Sequence, residues 1–220
     1  MHVVIISGAA RPRSKSNTAK IIDAFCVGLS NSRNTSEIWY LSDRKQWESA
    51  KTAFAENENI LFALPLYVES VPGIMLEFLA GLSAKAQAGT RISFLLQGGF
   101  PEVSQGRCCE EFLQTLPKQF GCEYGGTFIK GDMFGLGLMG EKLGAKLLQP
   151  FTEVGQRFGE CGHFISEIIE AFSIPEYLSE KQIRMANGPL RHIQRLIMRY
   201  IAKRLGCKTS LGAKPFREIN

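Results

Sequence analysis

Apolar residues fall along the first 130 positions in short β-branched runs, separated by stretches with helical spacing. Val3-Val4-Ile5-Ile6 is such a run, suited to a strand buried on both faces. A polar loop follows over residues 7–18. Beyond it Ile21, Ile22, Phe25 and Leu29 recur on one helix face, with Ser16 or Asn17 able to cap the helix. A second strand is predicted over residues 37–41 and a polar helix over about 43–56. The third strand, 59–64, is halted by Pro65. Pro72-Gly73 opens a helix expected to bury Ile74, Leu76, Phe78, Leu79 and Leu82. Residues 91–96 read as strand four, about 104–120 as a helix, and 124–129 as strand five. A Gly/Met loop over 132–140 then precedes a helical stretch over about 141–172. Strands alternating with helices imply right-handed crossovers and a parallel sheet, here an α/β doubly wound five-stranded sheet of order 2-1-3-4-5. The expected organisation is one domain over residues 1–175 with a C-terminal helical extension over 176–220.

In such a sheet ligands bind beyond the carboxyl ends of the strands, beside the point where strand order reverses. That places the loops after strands one, three and four around one crevice. The first offers Ser7, Ser14, Ser16, Asn17 and Thr18 with Arg11, Arg13 and Lys15, just before a helix N-terminus. It is neither Gly-x-Gly-x-x-Gly nor a Walker loop. Hydroxyls, cations and free helix amides together suit a terminal phosphate monoester, whereas the plain alternative is helix capping. The second loop, Pro65-Leu66-Tyr67-Val68-Glu69-Ser70, lies before Val71 and Pro72 and makes a stiff apolar and aromatic wall. Such a wall suits a flat ligand or a partner, or is simply tucked onto the protein's own surface. The third, Gln97-Gly98-Gly99-Phe100-Pro101, permits close backbone approach, as would an ordinary strand-to-helix turn.

Three motifs, Ser-Gly-x-x-Arg-x-x-Ser-x-Ser-Asn-Thr from Ser7, Pro-Leu-Tyr-Val-x-Ser-x-Pro-Gly from Pro65 and Gly-Gly-Phe-Pro-Glu from Gly98, resemble the NAD(P)H-dependent FMN reductases of the flavodoxin-like fold. The resemblance covers about residues 2–135. One departure is Ala9, where the family usually carries serine. The resemblance implies that Arg11, Ser14, Ser16, Asn17 and Thr18 hold the FMN phosphate, with Ser7 a further cofactor-binding residue. Pro65, Leu66, Tyr67, Val68, Glu69 and Ser70 would line the isoalloxazine and ribityl chain, with Gly98, Gly99 and Phe100 at the ring's far side. It further implies an FMN-dependent oxidoreductase that takes hydride from NADH or NADPH. The acceptor would be a quinone, flavin, nitro compound or similar small molecule. The alternative is a non-enzymatic electron carrier or regulatory FMN-binding module. Flavin chemistry requires no protein acid or base, so no catalytic residue is named.

Composition narrows the remaining classes. With 45% hydrophobic and 21% charged residues, the 220-residue chain is ordinary globular material. The start of the chain lacks a signal-peptide pattern, and no apolar run reaches the roughly 20 residues of a membrane span, so a cytoplasmic protein is expected. The six cysteines include no Cys-x-x-Cys pair, which argues against a metal or iron–sulfur site. His2, His163 and His192 are scattered, with no serine or carboxylate pattern around them.

Charge is divided unevenly. Residues 1–175 carry 16 Lys and Arg against 18 Asp and Glu, a net of −2, whereas residues 176–220 carry 10 against 3, a net of +7. In that tail an amphipathic helix begun by Pro189 is expected to pack through Leu190, Ile193, Ile197 and Ile201. Arg191, Arg195, Arg199 and Lys203 then form a basic ladder. The helix would dock on its own domain or on a homo-oligomer mate with its charged face solvated, or meet an acidic redox partner or an anionic membrane surface. A nucleic acid is not expected, for want of a recognised binding motif.

Overall fold

A computed structural model describes residues 1–85, 89–138, 140–188 and 190–214. Two compact units divide the chain, Met1–Tyr177 and Leu178–Asn220. Pro189, Met139 and residues 215–220 of the predicted tail and loop lie outside the described residues.

In the first unit five strands, β1 (His2–Ser7), β2 (Thr35–Tyr40), β3 (Asn59–Pro65), β4 (Arg91–Gln97) and β5 (Glu123–Lys130), form one sheet of order β2-β1-β3-β4-β5. Every pairing is parallel, as the alternating pattern predicts. Helices α1 (Asn17–Asn31), α5 (Glu141–Cys161) and α6 (Ser166–Phe172) cover one face. Helices α2 (Trp47–Glu56), α3 (Gly73–Ala80) and α4 (Arg107–Gln119) cover the other. Alternation along the buried strands splits the core. Val3 and Ile5 join Phe25, Phe151 and Phe158 on the first face, while Val4 and Ile6 join Phe54, Phe78 and Leu113 on the second. Each such fully buried side chain contributes about 1.5–3 kcal/mol.

Three expectations need correction. Leu76 is exposed, and the buried face of α3 runs instead through Met75, Phe78 and Leu79, the three- and four-residue spacing that one turn of helix brings into line, with Val71 buried just before the helix. The stretch over 141–172 is two helices, because Gly162 adopts the left-handed conformation (φ 77°) that ends α5. Edge strand β2 begins and ends earlier than predicted, at Thr35 and Tyr40.

Helices α1 and α5 approach unusually closely. A Cβ at Gly28 would sit 2.0 Å from the Thr152 carbonyl oxygen, and one at Gly155 2.2 Å from that of Phe25. Glycine at both contact points lets two backbones touch, and this fixes the position of α1, whose N-terminus lies at the carboxyl edge of the sheet.

The second unit holds α7 (Glu180–Asn187) and α8 (Leu190–Arg204), consecutive helices in contact with one another. A capping box starts α7: the Ser179 hydroxyl accepts from the Gln182 amide, and the Gln182 side chain accepts from the Ser179 amide. Of the four apolar residues expected to pack, Ile201 alone is buried; Leu190, Ile193 and Ile197 are exposed.

Candidate functional site

Parallel strands all end on the same side, so the loops after β1, β3, β4 and β5 share one edge. Hydrogen bonds tie these loops together. The Leu66 amide donates to the Gln97 carbonyl (2.8 Å), the Gly98 amide to that of Lys130 (2.9 Å), and the Met133 amide to that of Gly98 (3.0 Å). Asn17 Nδ2 donates to the Met133 carbonyl (3.0 Å), and Gln97 Nε2 to Thr18 Oγ1 (3.4 Å), joining α1 to the far loops.

The first loop separates into an inner and an outer set. Ser16 is buried as the N-cap of α1, its hydroxyl accepting from the Ala19 amide at 3.3 Å. Thr18 is buried and engaged with Gln97, and the Asn17 amide is committed to Met133. Arg11 and Ser14 remain exposed on the outer face with Lys15. The amides of Asn17 and Thr18 lack intrahelical partners, as in any first turn. Arg13 pairs with Asp23 at 3.4 Å and lies 5.4 Å over the Tyr40 ring. Ser7 Oγ and Tyr40 Oη, on residues paired in register, are both buried without a hydrogen-bond partner. Burial pushes the Tyr40 phenol pKa up, with Arg13 opposing. Two orphaned hydroxyls beneath a cationic loop represent about 1–3 kcal/mol each of unmet hydrogen bonding.

The second loop is a tight reverse turn. Tyr67 and Ser70 exchange backbone hydrogen bonds of 3.1 and 3.2 Å, and Val68 (φ 52°) and Glu69 (φ 61°) form its tip. Positive φ at a β-branched residue is a genuine strain, of the kind that gathers at ligand-contacting segments. Val68 is 98% exposed and Tyr67 is exposed beside it, while Pro65 is buried and Leu66 half-buried.

The third loop leaves room for a side chain at Gly98 and Gly99, where a Cβ would make only ordinary van der Waals contact. A Cβ on Gly98 would lie 3.7 Å from Leu66 Cδ1, and one on Gly99 3.7 Å from Phe134 Cβ. Phe100 stands 69% exposed. A fourth loop, not assigned to the site on sequence grounds, completes the rim. Gly131 lies so close to the carbonyls of Phe100 and Pro101 that a Cβ would reach 2.5 and 2.4 Å, and Phe134 follows at 56% exposure. Its signal was present in the Gly-rich, aromatic stretch after strand five, but the switch-point rule points only at the first, third and fourth strands. Lys130 anchors this loop, donating from Nζ to the carbonyls of Phe172 (2.9 Å) and Ile174 (3.3 Å). Burial holds its pKa below the usual lysine range.

Sheet order, helix placement and the loop cluster at the switch point agree on one architecture. The fold is flavodoxin-like. Solved structures share it at low identity. An FMN-dependent NADH-azoreductase from Bacillus anthracis, solved with FMN, is 11% identical with a TM-score of 0.53, covering 72% of this chain and 99% of its own. An NADH:FMN oxidoreductase in its apo form is 20% identical with a TM-score of 0.54, covering 79% and 96%. An NAD(P)H:quinone oxidoreductase from Methanothermobacter marburgensis is 16% identical with a TM-score of 0.52, covering 75% and 98%. No family model and no curated protein matches the chain. The flavodoxin-like architecture extends through the first unit, and its carboxyl edge carries the cationic loop and the aromatic rim.

Proposed function

We propose that the chain is an FMN-dependent oxidoreductase, taking hydride from NADH or NADPH and passing electrons to a small-molecule acceptor such as a quinone or flavin. The observation that carries this reading is the division of the carboxyl edge. An outward cationic and hydroxyl-bearing loop sits at the start of α1, and an exposed rim of Tyr67, Val68, Phe100 and Phe134 borders the same edge. The donor set fits a phosphate: the Arg11 guanidinium, the Ser14 hydroxyl and the first-turn amides of α1, above the unpartnered Ser7 Oγ. Ser16, Asn17 and Thr18 hold that loop in shape rather than reaching outward. The aromatic rim fits a planar ring, with Gly98 and Gly99 giving backbone access. When bound, FMN supplies the hydride and electron chemistry, so the protein's tasks are binding, orientation and exclusion of water. The solved neighbours that bind FMN or use NAD(P)H support the assignment.

Titration of the full-length protein with FMN, FAD and riboflavin tests this reading. One FMN per chain, bound more tightly than either alternative, is expected. Tighter stoichiometric binding of FAD would remove the phosphate role from the first loop.

A further inference from the structure

Between residues 181 and 217 the sequence carries ten Lys and Arg and no Asp or Glu. Helix α8 gathers four of those charges on one side, whereas Arg204, in its last turn, lies on the other with its guanidinium 5.9 Å over the Tyr200 ring. At about 100° per residue, Arg191, Arg195, Arg199 and Lys203 occupy one arc of about 120°. Leu190, Ile193, Leu196, Ile197 and Tyr200 fall on the opposite side with the buried Ile201. All five of those apolar residues are exposed, as is Leu205 just beyond the helix. The second unit thus presents a wide apolar arc opposite a ladder of four cations.

We propose that α8 is an interfacial membrane-binding helix that takes a bilayer surface rich in anionic lipid. Charge complementarity and helix geometry favour a lipid surface over a protein partner. A helix lying in the interface plane uses both arcs, burying the apolar arc at the acyl boundary while the long cationic side chains of the polar face reach the anionic headgroups. An acidic protein surface would meet the ladder and leave the apolar arc in water. The like charges repel along the helix at four-residue spacing, a cost that an anionic surface relieves. No helix among the described residues is long and apolar enough to cross a membrane, so the attachment is peripheral and reversible.

The test is flotation of the full-length protein with phosphatidylcholine vesicles, alone or with about one-third phosphatidylglycerol, at low and moderate salt. It needs no flavin, so its outcome is separate from that of the proposed activity. Flotation is expected with the anionic vesicles only, weakening as salt rises. Each Lys or Arg near such a surface multiplies partitioning by about fivefold. Arg195→Glu with Arg199→Glu should therefore weaken it by at least about tenfold. Ile193→Ser with Ile197→Ser should also lower it severalfold, with the melting temperature and circular dichroism of both variants unchanged. Three results would overturn the proposal. One is no flotation of the wild-type chain with anionic vesicles. Another is equal flotation with phosphatidylcholine alone. The third is wild-type flotation by the serine variant, which would mean surface adsorption without insertion. If the wild-type chain fails to float and is a dimer that the serine variant converts to monomer, a second copy covers the face instead.

Discussion

Individual side chains in the first loop divide by direction, and that division makes separate predictions. Arg11 and Ser14 face outward without structural duties, whereas Ser16 caps α1 from a buried position. Arg11→Ala with Ser14→Ala should weaken FMN by about a hundredfold, since each lost contact to phosphate is worth on the order of 1–3 kcal/mol. Riboflavin affinity and melting temperature should change little. Ser16→Ala should instead lower stability by about 1 kcal/mol, the usual loss of a helix cap. Calorimetric titration and thermal melts distinguish these outcomes; equal losses for both flavins would place the phosphate elsewhere. From sequence, Ser16, Asn17 and Thr18 looked equivalent to Ser14, because a capping residue and a ligand-binding residue share the same chemistry. What sets them apart from Ser14 is the burial of Ser16 and Thr18 and the commitment of the Asn17 amide to Met133.

At the scale of elements, the packing of α1 on α5 sets the site's frame. Gly155→Ala would drive a methyl group against the Phe25 carbonyl, and backbone cannot yield there as a flexible side chain would. We expect a loss of about 3 kcal/mol, the upper end of overpacking effects, read by chemical denaturation. The strand and helix alternation was legible because buried parallel strands leave continuous apolar runs. The glycine contact was not, since nothing in the local pattern distinguishes a close helix approach from a weak helix position. The fourth loop escaped for a related reason: its role comes from Gly131 lying against Phe100 and Pro101, which is a tertiary fact. Leu76 misled because the apolar composition of α3 obscures its buried face.

Another link concerns the return of the chain after α6. Arg107 holds Glu176 with two hydrogen bonds, of 3.1 and 2.6 Å, and Glu110 with a third of 2.6 Å. Hydrogen bonds from Arg107 lower the Glu176 pKa below the usual carboxylate range. Its contribution is therefore present above the unfolded glutamate pKa of about 4.3 and is lost as pH falls through the lower folded value. Solvent screening of this partly exposed pair limits the effect to about 1 kcal/mol or less. Glu176→Gln should remove that increment near neutrality and flatten the acid limb of the stability profile by the same amount. An unchanged profile would mean that the pair contributes nothing.

For the whole molecule, the proposed function makes one edge of one sheet a flavin site fed by a nicotinamide. Anaerobic mixing of the FMN-loaded protein with NADH or NADPH, followed by visible absorbance, tests it most directly. Binding alone would not suffice, because an electron carrier also retains flavin. The expected result is one FMN per chain, bleached rapidly by at least one of the two nicotinamides and restored by a quinone. Retained FMN that neither nicotinamide bleaches would make the protein a carrier, and failure to retain FMN at all would contradict the site itself.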